Sequence, residues 1–234
     1  MLVSGKNSCL AVIQKNVFIK EAFISHKFSD KFLLSVLQKR KIKINFLDKN
    51  KLNELVSKNH QGIILKIDDF PYADFDLVFK ENSFLVVLDH LVDPQNMGTI
   101  IRSCEVFGVD AVIIPENRGV LVNDTVIRVS AGAVFNVPII KVINLSQTIE
   151  KLKNNHYWII GADMQGSMLE SLDYSNNIAL VIGNEGKGLS KKIKEKCDFL
   201  AQIPMQGETG SLNASVAAGI MLYEASKRRN NEIS

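Results

Sequence analysis

Long apolar runs are missing from these 234 residues, so no membrane-spanning helix is expected. The N-terminus MLVSGKNSCLAV is too short and too polar for a signal peptide. Cysteine is scarce: Cys9, Cys104 and Cys197 are odd in number and widely spaced, which argues against a disulfide framework and fits a reducing cytoplasm. His26, His60, His90 and His156 are equally scattered, so neither a metal site nor a Cys/His nucleophile pair is expected. Neither G-x-G-x-x-G nor G-x-x-x-x-G-K-[ST] occurs, which removes the usual dinucleotide and P-loop readings. Internal repeats and low-complexity segments are absent as well.

What is present is an ordinary globular composition, 46% hydrophobic and 23% charged, with an uneven distribution of charge. Residues 1–80 carry 14 Lys/Arg against 8 Asp/Glu, whereas residues 81–234 carry 14 against 17. A basic first third on a near-neutral body suits a module that handles nucleic acid, although a solvated lysine-rich surface gives the same count. The cluster Lys39, Arg40, Lys41 and Lys43 is the densest patch and the candidate phosphate contact.

Periodicity predicts a small α/β unit over 1–70. Its helices fall near 6–14, 29–40 and 49–58, its strands near 17–24, 42–47 and 61–67, and Asp30 and Asp48 stand as N-caps. An acidic stretch without a clear period, 71–82, reads as a linker. Over 83–234, apolar strands at 84–90, 111–115, 138–142, 157–162, 178–182 and 199–204 alternate with helices. The helices are expected near 97–107, 122–130, 144–154, 189–196 and 212–228. Strands apolar along their whole length imply an α/β fold whose mostly parallel sheet is covered on both faces.

Open sheets of this kind bind ligands beyond the C-terminal ends of their strands, where three loops carry polar residues. DPQNMGTIIRS (93–103) offers Asn96, which could cap the following helix, and Arg102. VIGNEGKGLS (181–190) has the glycines of an anion cradle, but Glu185 at its centre would repel a phosphate. Its carboxylate suits a hydroxyl, a cation or an arginine, or simply a helix cap. IPMQGETGSLNASVAAGIMLYEASKRR (203–229) sets Ser211 and Asn213 at the start of a helix rich in small residues.

NMGTIIR (96–102), IGNEGKGLS (182–190) and IPMQGETGSLNASVA (203–217) together resemble the three ordered motifs of the SpoU (TrmH) family of RNA 2′-O-methyltransferases, within the SPOUT superfamily. GKNSCLAVI and NHQGIILKI in the first third resemble the small RNA-binding domain of members that modify large-subunit ribosomal RNA. The resemblance implies a trefoil knot near the C-terminus, a homodimer packed through the first-motif helix and the last helix, and S-adenosylmethionine as cofactor. It implies that Gly183, Asn184 and Gly186 admit that cofactor, while Ile203, Met205 and Leu212 wall its adenine. By the same resemblance Arg102 meets the ribose 2′-hydroxyl and RNA phosphate. Glu185 then orients Arg102 or Asn96, and Ser211 and Asn213 position the nucleotide and the methionine end.

The expected activity is therefore ribose methylation, of a guanosine in 23S-type ribosomal RNA. A transfer RNA methyltransferase, and an RNA-binding assembly factor that keeps only the fold, are the alternatives. No metal or membrane enters any of these readings, and the expected location is the cytoplasm.

Overall fold

The computed structural model describes residues 1–56, 59–174, 176–208 and 210–232, the side chains of 230–232 excepted. The chain divides into two units: Met1–Pro71 with Val122–Asn136, and Tyr72–Leu121 with Val137 onward.

The first unit opens with β1 (Leu2–Ser4), α1 (Lys6–Gln14), β2 (Ile19–Ser25) and α2 (Lys31–Lys39). It continues through β3 (Lys43–Leu47), α3 (Lys49–Leu55) and β4 (Ile63–Ile67). Its four strands lie in the order β1-β4-β2-β3, with β2 and β3 parallel and the other pairs antiparallel. Asp30 caps α2 by accepting from the Leu33 N–H at 3.2 Å, as its side-chain type predicts. Asp48 occupies the same position before α3 but makes no capping bond. Strand β1 is too short to register as a periodic signal. The helix expected over 49–58 stops at Leu55, and its last two residues, Ser57 and Lys58, lie outside the described residues.

The second unit contributes β5 (Phe84–Leu88), α4 (Pro94–Val106) and β6 (Ala111–Pro115) before the chain makes an excursion. Residues Val122–Asn136, carrying α5 (Asp124–Val129), pack with the first unit, which a division at the 71–82 stretch does not anticipate. Gly132 makes this packing possible: at φ +91° its missing Cβ would lie 2.9 Å from the Ala11 Cβ and 3.1 Å from the Asn7 carbonyl oxygen. Ser8 Oγ donates to the Ile127 carbonyl at 3.2 Å beside it.

The second unit then resumes with β7 (Ile139–Val142), α6 (Leu145–Asn154), β8 (Trp158–Met168) and β9 (Ile178–Ile182). It ends with α7 (Lys191–Lys194), β10 (Phe199–Gln202) and α8 (Ala214–Glu232). Six strands form one sheet in the order β10-β8-β9-β5-β6-β7, every neighbouring pair parallel. β5, β6 and β9 are buried along their whole length, which is why they read as unbroken apolar runs. Leu85, Val87, Ile113, Ile159 and Val181 pack with Ile149 and Leu152 of α6. Each such side chain contributes about 1.5–3 kcal/mol by leaving water.

In the second unit three further features depart from expectation. Strand β8 runs on to Met168, six residues past the apolar stretch that announced it. Helix α4 begins at Pro94 rather than 97, because Asp93 accepts from the Gln95 N–H at 2.9 Å and Pro94 needs no N–H partner there. The 71–82 stretch, read as a linker, is packed against the large sheet. The Ala73 N–H donates to the Ile139 carbonyl at 2.8 Å, Val78 is buried, and the Tyr157 hydroxyl donates to the Val78 carbonyl. Among the described residues no helix is long and apolar enough to cross a membrane.

Candidate active site

Because every strand of the large sheet points the same way, the turns after β5 and β9 emerge at one edge. The turn after β9 is a closed loop built by Asn184. Its backbone pairs with Gly188 in both directions, at 2.8 and 2.9 Å. Its side-chain oxygen accepts from the N–H groups of Gly186 and Lys187, and its amide nitrogen donates to the His90 carbonyl at 2.9 Å. A Cβ on Gly183 would lie 2.3 Å from the Gly188 carbonyl carbon, so the loop's own closure already demands glycine there. Asp89, 1% exposed, fastens the far side of the loop: it accepts from the Ser190 N–H and pairs with His90 Nδ1, both at 2.6 Å.

Glu185 stands at the tip of this loop and faces the start of α4. Its carboxylate accepts from the Asp93 and Val92 N–H groups at 3.3 and 3.5 Å and from Asn96 Nδ2 at 3.2 Å. Unpaired N–H groups at a helix N-terminus favour such an anion. Asn96 is not the helix cap: it lies inside α4, 7% exposed, and its side-chain oxygen accepts from Asn213 Nδ2 at 3.1 Å. Asn213 in turn caps α8, accepting from the Ser215 N–H at 2.9 Å. A single chain of hydrogen bonds, Asn213–Asn96–Glu185, thus joins residues up to 117 positions apart and connects all three motif loops.

Beside this chain lies a cavity of about 650 Å³, within the range of small-molecule sites. Gly183, Asn184, Glu185, Gly186, Ile203, Met205, Ser211 and Leu212 all line it, together with Asp163 and Lys194. Asp163 pairs with Lys194 at 2.7 Å; that bond and the Gln165 N–H outweigh burial and hold the carboxyl below its usual range.

Other expected site residues fall elsewhere. Arg102 is exposed on α4 and makes no hydrogen bond or ion pair among the described residues, so Glu185 holds Asn96 rather than Arg102. In the first unit Arg40 is committed to structure, donating to the Ile13 carbonyl and Asn16 Oδ1 at 2.8 and 2.7 Å. Lys39, Lys41 and Lys43 are exposed nearby. Asp89 and Asp93 were not among the expected residues. The D-P dipeptide signals Asp93 as a cap, whereas nothing local distinguishes Asp89 from any polar residue ending a strand.

An all-parallel sheet with a walled cavity and a polar chain at its C-terminal edge is the arrangement in which α/β proteins bind a small-molecule ligand. Residues 83–223 match the model of the SpoU rRNA Methylase family, and residues 2–73 match that of the RNA 2′-O ribose methyltransferase substrate-binding domain. The chain belongs to the SpoU family and is an RNA methyltransferase that uses S-adenosylmethionine. It is 34% identical over 238 aligned positions, 97% of this chain and 96% of the other, to YacO of Bacillus subtilis, named for the TrmH family of tRNA/rRNA methyltransferases. It resembles the crystal structure of the SpoU methyltransferase AviRb from Streptomyces viridochromogenes in complex with AdoMet. There the TM-score is 0.87 and the identity 25%, covering 99% of this chain and 91% of that one. The A. aeolicus TrmH/SpoU tRNA modifying enzyme is 31% identical with a TM-score of 0.58, but covers only 67% of this chain and 80% of its own.

The cavity's lining fits that cofactor. Ile203, Met205, Leu212 and Met221 offer apolar surface for an adenine ring, and the Glu185 carboxylate complements a cationic sulfonium.

Proposed function

We propose that this protein methylates a ribose 2′-hydroxyl in large-subunit ribosomal RNA. The observation that carries the reading is the Asn213–Asn96–Glu185 chain, which binds the three motif loops into one wall beside the cofactor-sized cavity. The ribosomal substrate is supported by the substrate-binding match over residues 2–73, and by a tRNA modifying enzyme matching only two thirds of the chain.

The cofactor supplies a methyl group activated on sulfur. The chain's own task is alignment and handling of one proton. Arg102, always protonated, cannot serve as a base. It grips the phosphate beside the target and stabilises the developing 2′-alkoxide, so that the proton leaves to solvent. Glu185 fixes Asn96, Asn96 fixes Asn213, and Asn213 with Ser211 holds the nucleotide and the methionine end of the cofactor in register. Gly183, Asn184 and Gly186 bring backbone groups to the cofactor's rim.

Two architectural features belong to the same reading. The segment between β10 and α8 is tucked into the trefoil knot of the family. Two chains pair through α4 and α8, where Val106, Val216, Ile220 and Tyr223 stand 66, 50, 39 and 54% exposed, an apolar surface suited to a partner helix. Light scattering at micromolar concentration reports a dimer on this reading and a monomer against it.

Incubation with labelled S-adenosylmethionine and protein-free ribosomal or transfer RNA, followed by mapping of the modified nucleotide, tests the function. Label on a ribose of large-subunit RNA is expected. Label confined to transfer RNA establishes the alternative that the 31% identity to the tRNA modifying enzyme favours, and label in neither RNA refutes both.

A further inference from the structure

A second cavity, of about 730 Å³, opens in the first unit at the sheet edge where β2 and β3 end and β4 begins. Its lining includes Lys27, Asp48, Lys49, Asn53, Asn59 and Gln61. The chemistry of this wall is specific. Carboxamides offer both donors and acceptors, as a nucleobase edge requires. The two ammonium groups supply point charges for phosphate.

The amides are held ready by structure. His60, 5% exposed, accepts from the Gly62 N–H through Nδ1 at 3.0 Å, which leaves Nε2–H to donate to Asn53 Oδ1 at 3.2 Å. That pairing aims the Asn53 amide and leaves its two N–H donors without a partner among the described residues. Likewise Gln61 Oε1 accepts from the Lys6 N–H at 2.7 Å, and its amide nitrogen has no partner among the described residues. Asn59, Gln61 and Gly62 all take positive φ, an uncommon path for the two non-glycine residues.

His26, between the lining residues Ser25 and Lys27, and Phe46, two residues before the lining residue Asp48, stack with centroids 5.9 Å apart and planes inclined by 23°. Phe46 is 52% exposed on β3, an unburied aromatic face. Single-stranded nucleic acid is recognised by this combination of a stacking platform, base-edge hydrogen bonds and cations for the backbone. Lys41 and Lys39 precede the start of β3, five and seven residues before Phe46.

We propose that this cleft is a subsite for one unpaired nucleotide of the RNA substrate. The base stacks on the His26–Phe46 pair, its edge meets Asn53, Gln61 and Asp48, and the flanking phosphates meet Lys27 and Lys49. The inference rests on the RNA methyltransferase reading and adds where, and in what form, the RNA is held.

Binding of a labelled random-sequence single strand, its duplex and protein-free large-subunit RNA tests it, with Phe46→Ala, Lys27→Ala/Lys49→Ala and Lys39→Ala/Lys41→Ala. All five positions are exposed, so cofactor affinity and far-UV circular dichroism should not change. Phe46→Ala should weaken single-strand binding roughly 5- to 100-fold and leave duplex binding unaltered. Lys27→Ala/Lys49→Ala should lower the slope of log K against log salt by about 1.4, the value for two phosphates on a single strand. Lys39→Ala/Lys41→Ala, in the separate basic cluster, should reduce the slope by its own phosphates and add to the effect of the Lys27/Lys49 pair. Wild-type affinity and slope in the Phe46 and Lys27/Lys49 variants, in a protein that still methylates RNA, overturn the subsite and spare the function. A wild-type protein that neither binds nor methylates RNA overturns both.

Discussion

Replacing Asn96 by aspartate changes little in volume but sets a carboxylate against Glu185, across the 3.2 Å now spanned by an amide donor. Two unit charges at that separation repel by about 5 kcal/mol at an effective dielectric near 20, and by about 1 kcal/mol at that of water. Asn96 is buried and Glu185 exposed, so the cost lies between these values, about 2–3 kcal/mol. The pair relieves it by taking up a proton, which raises the apparent pKa of the dyad. At neutral pH the introduced carboxylate would break the link to Glu185 while its oxygen still accepts from Asn213. Methyl transfer should fall roughly 30- to 150-fold, the kinetic equivalent of that energy. As pH is lowered the protonated dyad restores a donor, and the ratio of variant to wild-type kcat should climb. Asn96→Ala, which has no proton to gain, should lose a similar factor without any such recovery. Single-turnover methylation across pH separates the cases. An Asn96→Asp enzyme with wild-type kcat, or one whose deficit is independent of pH, refutes the role given to the Asn96–Glu185 bond.

Arg102→Ala should cut methyl transfer by about 100-fold or more while calorimetry finds S-adenosylmethionine binding unchanged, since the side chain stands outside the cavity lining; near-normal turnover refutes its assignment. Gly183→Ala should lower both Tm and cofactor affinity, because its Cβ would meet the Gly188 carbonyl carbon at 2.3 Å; loss of affinity at unchanged Tm would mean the glycine serves the cofactor alone. Burial, then the Lys49 cation, holds the His60 pKa below its ordinary value. Stability from His60 is therefore whole above the unfolded value of about 6.5 and is lost as pH falls toward the folded one. Urea titrations should show His60→Gln flattening that dependence, and an unchanged slope counts against it. Arg229, 8% exposed, donates to the carbonyls of Tyr174, Asn176 and Asn82, so Arg229→Met should cost roughly 2–4 kcal/mol. A thermal melt within a degree of wild type would contradict that.

The sheet was legible where burial leaves its mark on one strand at a time. FLVVL, AVIIP and IALVI are apolar at every position because both of their faces are covered. Strand β8 shows the limit: beyond Gly161 its residues are partly or fully exposed, so ADMQGSM carries no apolar signal although its backbone continues the strand. The motif residues could be named from their pattern, but not their partners. Glu185 meets Asn96 across 89 residues of sequence, and only the parallel arrangement of β5 and β9 brings them together. Likewise Val122–Asn136 reads as part of the large unit because it interrupts it. Its attachment to α1 depends on Gly132 and Ser8, one an absence of side chain and the other a single hydroxyl.

The strand order has a consequence for synthesis. β9 lies between β5 and β8, yet it follows the end of β5 by about 90 residues. At roughly 5–20 residues per second the ribosome needs about 5–20 s to deliver it. For that interval β5 has a bare hydrogen-bonding edge, the kind of surface on which nascent chains adhere to one another. The same delay withholds Glu185 and Asn213 until the sheet can close around its latecomer. Chains that stop before that point lack two of the three residues of the polar wall and keep the bare edge of β5, so truncation upstream of β9 should yield protein that aggregates and does not methylate.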